Sequence, residues 1–274
     1  MTSKAGLTFT ILGCGASGGV PRLGLDGPNW GDANPAEPKN RRRRCSLLVQ
    51  RTGQGGVTTV LIDTSPDMRE QLLDAGVGRL DAVVYTHEHA DQSHGIDDLR
   101  MVAYAMRARI PVYTDDFTAQ GLLQRFGYCF SQPEHSPYPP ILEHRPIETP
   151  FTAFSIEGPG GAIHIQPFDM DHGTCRSLGF RFGPLAYSPD VVDLPEESFE
   201  TLAGVDCWIV DALRYKPHPT HAHVDKALDW IARVRPKLGI LTNLNVELDY
   251  TRLRKELPEN VMPAHDGMVL NFPD

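Results

Sequence analysis

Leu80-Asp81-Ala82-Val83-Val84-Tyr85-Thr86-His87-Glu88-His89-Ala90-Asp91 is the stretch on which the fold of this 274-residue chain turns. Its apolar first part reads as a buried strand, Leu80–Thr86. Three side chains able to bind a metal then follow at alternate positions. In an extended segment residues i and i+2 point to one side, so the imidazoles of His87 and His89 can face one ion with Asp91 beside them. Imidazole and carboxylate suit zinc, or manganese and iron where oxygen ligands predominate.

A metal site needs further ligands, and other strand ends are where to look. His172 lies in Asp169-Met170-Asp171-His172-Gly173, after the strand-like Ala162–Pro167. Asp190 follows the strand Leu185–Ser188, and Asp211 ends the strand Cys207–Asp211. Each of these carboxylates taken alone reads equally as a turn or helix-capping residue.

Around these residues the pattern alternates strands and helices. Leu7–Leu12, Cys45–Gln50, Val57–Asp63 and Pro111–Tyr113 read as strands in the first half, with helices over Asp67–Ala75, Ile96–Ala108 and Phe117–Phe126. Ser65-Pro66 supplies the first helix with a start signal. Ser131–Pro150, rich in Pro and His, reads as a loop or lid. Strands Ser177–Phe182 and Leu238–Thr242 and helices Val224–Val234 and Leu248–Leu257 complete the second half. The pattern predicts an α/β fold of two sheets with helices outside, as one domain over residues 1–274.

Composition narrows the function classes. The net charge of −9 disfavours a stable nucleic-acid complex. No apolar run reaches the ~18 residues that span a bilayer, and the opening Met1-Thr2-Ser3-Lys4-Ala5 has no signal-like pattern. The five cysteines form no C-x-x-C pair. Their odd number argues against a disulfide framework and points to a cytoplasmic protein. Cys45 and Cys207, in apolar strands, read as inert core thiols. Arg41-Arg42-Arg43-Arg44 reads either as a solvated loop or as an anion-attracting rim. Gly13-Cys14-Gly15-Ala16-Ser17-Gly18 matches a dinucleotide-binding spacing, but Pro21 denies the helix that such a site requires. No G-x-S-x-G elbow is present.

His87-Glu88-His89-Ala90-Asp91 resembles the H-x-H-x-D signature of the metallo-β-lactamase superfamily. Leu61-Ile62-Asp63-Thr64 resembles its preceding strand, and Ile11–Pro21 its opening. Arg44-Cys45-Ser46-Leu47-Leu48, Gly95–Arg100 and Asp266-Gly267-Met268 resemble segments of its PhnP-like phosphodiesterase branch, so the resemblance runs nearly end to end. It implies a four-layer αββα sandwich with His87, His89 and His172 on one zinc or manganese ion and Asp190 bridging to a second. Asp91 then falls on the second ion, and His223 takes the place of a substrate-facing histidine. The chain departs from the pattern at Gln92 and Asn243, where the family carries histidines for the second ion, so one tight metal is expected. Val246 and the cysteine-free Pro21–Asn40 loop imply that the branch's structural zinc is missing.

The expected function is hydrolysis of a nucleotide or sugar phosphodiester through a metal-activated water. Asp91 orients that water, His223 contacts or protonates the phosphate, and Arg176 and Arg44 bind its anionic oxygens. The expected partner is therefore a small anionic phosphate ester, with a homodimer as the assembly left open. Alternatives are a thioester, lactone or ester hydrolase of the same fold, or a nucleotide-binding protein with little turnover.

Overall fold

The computed structural model describes residues 5–148 and 150–274. Met1–Lys4, within the opening expected to lack a signal, and Thr149, within the expected loop, lie outside them. In chain order the elements begin with β1 (Gly6–Gly13), a small hairpin of β2 (Arg22–Gly24) and β3 (Gly27–Asn29), then β4 (Ser46–Gly53) and β5 (Gly56–Ile62). Next come α1 (Met68–Asp74), β6 (Ala82–Val84), α2 (Ala90–Ser93), α3 (Leu99–Met106), β7 (Ile110–Thr114), α4 (Asp116–Phe130), β8 (Leu142–Pro146) and β9 (Phe154–Ile156). The remainder holds β10 (Ile163–Asp171), β11 (Arg176–Phe182), β12 (Leu185–Ser188), α5 (Glu196–Leu202), β13 (Cys207–Asp211), α6 (Val224–Val234) and β14 (Leu238–Thr242). It closes with α7 (Tyr250–Glu256), β15 (Val261–Pro263) and β16 (Met268–Pro273).

Two compact units divide the chain. The first comprises residues 5–12, Ser46–His164 and Val269–Asp274. Its sheet is ordered β16-β1-β4-β5-β6-β7-β8, antiparallel between β4 and β5 and parallel from β5 to β8. Strands β5 to β7 are nearly continuous apolar runs because the sheet interior is buried. Leu48, Leu61, Val83 and Val112 pack there with Met68 and Leu72 of α1, Leu99 of α3 and Leu122 of α4.

Residues 13–45 and 165–268 make up the second unit. Its strands follow one another as β15-β14-β13-β12-β11-β10, antiparallel from β10 to β12 and parallel from β12 to β15. Trp208 of β13, with Trp230 of α6 stacked beside it at 6.4 Å, anchors a core that includes Phe168, Val210 and Leu241. Ser188 pairs with Val210 and Asp211 with Thr242. The parallel strands thus end level, and the residues just beyond their carboxyl ends come together.

Several elements differ from the expectation. The strand before the histidines is shorter, Ala82–Val84, and the Ile96–Ala108 helix opens as a 3-10 turn before α3 begins at Leu99. Helix α4 runs on past the expected Phe126 to Phe130, with a non-helical turn at Phe126. Ser131–Pro150 is not all loop, since Leu142–Pro146 pairs in parallel with β7. Among the described residues, no helix is long and apolar enough to cross a membrane.

Candidate metal centre

In the first unit, β6 delivers Thr86 and the two histidines. Asp63, fully buried just after β5, accepts from Thr86 N–H at 2.8 Å and from the Thr86 hydroxyl at 2.9 Å. With its proton given to Asp63, the Thr86 Oγ is left to accept from His87 Nδ1–H, 2.9 Å away. That chain sets the tautomer of His87 and leaves its Nε2 lone pair outward, as a ligating histidine requires. Nε2 lies 3.0 Å from Nδ1 of His89. Two nitrogens bound to one zinc at about 2.0–2.1 Å subtend roughly a right angle at that separation. Glu88, between them, pairs instead with Arg125 of α4. Ser93 Oγ donates to the carbonyls of Glu88 and His89, at 3.0 and 2.8 Å, and fixes the loop. Asp91 is half-buried in the first turn of α2, and Gln92 is fully buried behind it. Burial pushes the Asp63 carboxyl well above its ordinary value, against the hydrogen bonds from Thr86.

The second unit gathers a group of its own at the strand ends. One ligand atom each from His172, Asp190 and His221 lies within 4.8 Å of the others. His172 Nδ1 is 2.7 Å from the Thr220 carbonyl, which can only accept, so Nδ1 carries the proton and Nε2 is left as the ligand atom. His221 Nδ1 is bound the same way to the buried Asp211 Oδ2 at 2.8 Å. Burial raises the Asp211 carboxyl above its ordinary value, and His221 beside it pulls it back down. Asn243 holds a left-handed φ of 59°, which Asn tolerates better than most residues. Its amide nitrogen donates to Asp190 Oδ1 at 3.3 Å and lies 3.0 Å from His221 Nδ1. The donor types of each group suit a divalent ion, and His87, His172 and His221 are each oriented through the ring nitrogen that faces away from it.

His221 thus joins the donors, whereas His223 sits half-buried at the start of α6 and makes no capping bond. The two differ only by their place in the loop, so the spacing alone does not choose between them. Asp211, the third strand-end carboxylate, orients His221. Arg176 is engaged within its own sheet. Its Nε donates to Asp169 at 2.9 Å, a second bond reaches the other oxygen of that carboxylate, and Asp171 lies 3.6 Å away.

The arginine run divides. Arg41 is exposed, but Arg42 is buried and donates to the Asn245 carbonyl at 3.2 Å and to Asn40 Oδ1 at 3.0 Å. Arg43 binds Asp266 through its backbone N–H at 2.8 Å and its Nε at 3.3 Å. Arg44 is half-buried, its guanidinium close to Gly19. Gly15 lies flat on this run, and a Cβ there would meet Arg42 and Arg43 atoms at 2.9–3.0 Å. The glycines serve close backbone approach.

Residues 58–242 match the family model described as a beta-lactamase superfamily domain. A diphosphatase from the PhnP family has a similar structure, with a TM-score of 0.84 at 34% identity over 97% of both chains. Zinc-bound PqqB from Methylobacterium extorquens gives 0.72 at 17% identity, covering 97% of this chain and all of its own, a likeness of fold alone. A curated octanoyltransferase of Porphyromonas gingivalis is 31% identical over 262 residues, 94% of this chain. The chain spans about half the length of that relative.

Proposed function

As this chain belongs to the beta-lactamase superfamily, we propose that it is a metal-dependent hydrolase of phosphate esters, acting on a nucleotide or sugar phosphodiester or diphosphate. The likeness to the PhnP-family diphosphatase over nearly the whole of both chains carries this reading. From the family resemblance we assign His87, His89, His172 and Asp190 as the ligands of a tightly held zinc or manganese ion. Such an ion supplies Lewis acidity and a nucleophile at neutral pH. Asp91 orients the attacking water. Gln92 and Asn243 offer amides where imidazoles would hold a second ion, and amide oxygens are weaker ligands for zinc.

We assign His221, whose Nδ1 is held by Asp211, to proton transfer at the leaving oxygen and not to the ion, and His223 as the further imidazole available to the phosphate. Arg44 is the arginine of the run suited to an anionic substrate group. Arg176 reaches substrate only by leaving Asp169.

The octanoyltransferase relative favours a second reading, cleavage of an acyl ester or thioester. Rates on bis-p-nitrophenyl phosphate, cyclic nucleotides, dinucleoside diphosphates and an octanoyl thioester, with added Mn²⁺ or Zn²⁺, decide between them. Metal content after dialysis is the companion measurement. About one ion per chain is expected from the ligand types, and two retained zinc ions refute the single-site assignment.

A further inference from the structure

The alternation that turns the imidazoles of His87 and His89 to one side sends Glu88 to the other. There it meets α4. Arg125 Nη2 carries two hydrogens: one goes to the Glu88 main-chain carbonyl at 2.9 Å, the other to Oε2 of the Glu88 carboxylate. Arg125 Nε donates to the Gly121 carbonyl, one turn earlier, at 3.1 Å, so the guanidinium is fixed on its own helix before it reaches across. This contact requires glycine at 121. A Cβ there would overlap Glu88 Oε2 and come within 2.9 Å of Arg125 Nη2. Gly121 lies inside α4, where glycine weakens a helix relative to alanine.

The peptide between Glu88 and His89 is thereby held from two directions. Ser93 Oγ donates to the Glu88 carbonyl at 3.0 Å, and Arg125 Nη2 takes its other lone pair. A carbonyl oxygen has two lone pairs, so this one is saturated. The next residue of α4, Phe126, has non-helical φ and ψ and packs its ring edge-on against His94, 5.7 Å between centroids. Helix α4 therefore grips this segment on both sides of α2, before it at Glu88 and after it at His94.

Taking His87 and His89 as metal ligands, the reading proposed above, we propose that Arg125 is a positioning residue of the metal centre. By holding the Glu88 carbonyl it sets the peptide that carries His89, and with it the angle between the two imidazoles. Gly121 gives the guanidinium and the Glu88 carboxylate the room to meet.

The test is titration of the metal-free full chain with Co²⁺ against a chromophoric chelator, with the visible spectrum of the bound ion recorded. Arg125→Met keeps the stem and removes both donors. It should weaken Co²⁺ binding about 10–100-fold, the usual effect of removing a group that orients a ligand, and change the visible bands. Glu88→Gln keeps the carbonyl bond and offers an amide oxygen in place of the carboxylate, so its affinity should stay within about threefold of wild type. Gly121→Ala displaces Nη2 without deleting a donor. It should lower the affinity while the urea midpoint of the metal-free chain holds or rises, alanine being the better helix former. A merely structural role for Arg125 would move that midpoint and leave the bands alone. Wild-type bands and affinity in Arg125→Met overturn the positioning, as does a Glu88→Gln variant that falls as far as Arg125→Met. A wild-type chain that binds no Co²⁺ overturns the ligand reading itself, and this inference with it.

Discussion

Thr86→Val keeps the size of the side chain and deletes one oxygen. That oxygen donates to Asp63 at 2.9 Å and faces His87 Nδ1 at 2.9 Å, and all three residues are fully buried. The substitution removes the hydroxyl donor to one carboxylate oxygen and the hydroxyl acceptor facing one imidazole nitrogen. At about 1–3 kcal/mol for each buried group left unmade, the metal-free protein should lose about 2–6 kcal/mol. His87 also loses the partner that fixes its tautomer, so metal affinity should fall about 10–100-fold. Thr86→Ser is the control, because it keeps the oxygen and gives up a methyl worth about 1 kcal/mol. Urea denaturation of the metal-free variants reads the first quantity, and competition with a chromophoric chelator reads the second. If the Val and Ser variants match in both, the Asp63–Thr86–His87 chain does not position the ligand and the argument from hydrogen bonds fails.

Three further outcomes follow from other sites. Four of the five cysteines are buried and Cys175 is partly exposed. Burial pushes the Cys207 thiol up to about 12 and Cys129 to about 11. One thiol should therefore react with Ellman's reagent at neutral pH, and all five after denaturation; more than one fast thiol contradicts the packing. Burial also raises the Asp266 carboxyl above its ordinary value, although Arg43 and Cys14 bind it. A raised carboxyl favours the fold below the unfolded value of about 3.9 and loses that advantage as pH rises through the folded value. Asp266→Asn should remove this part of the slope, and identical stability–pH curves would refute the shift. His221→Ala should lower kcat about 10²–10⁴-fold and destabilise the fold by about 1–3 kcal/mol, because the buried Asp211 loses one of its donors and keeps that from Val191 N–H. His223→Ala should cost under about 0.5 kcal/mol, and steady-state kinetics on both variants shows which imidazole takes part in the reaction.

The spacing of His87, His89 and Asp91 could be read directly, and the strands that end at Ser188, Asp211 and Thr242 could be read as short continuous apolar runs, since they are buried at nearly every position. Strand β8 could not. Pro146 and the proline-rich approach hide it, and an edge strand tolerates Pro where a central one does not. The extension of β10 to Asp171 did carry a signal. Phe168, Asp169, Met170 and Asp171 alternate buried and half-exposed, but the acidic residues mask the pattern. Arg42 was illegible because arginine is almost never fully buried unless paired, and its partners, Asn40 and the Asn245 carbonyl, lie at either end of a long sequence gap. The choice of His221 over His223 as a donor depends on the path of a loop, which no periodicity encodes.

All three tryptophans, Trp30, Trp208 and Trp230, belong to the second unit, and the first has none. Indole fluorescence is thus a private reporter, silent on half of the molecule, while far-ultraviolet dichroism sums over both. A single denaturation series followed by both signals measures whether the two units melt as one cooperative body. Coincident midpoints mean that the loss of either unit carries the other with it. Separate ones would let each unit be ranked in stability without cutting the chain.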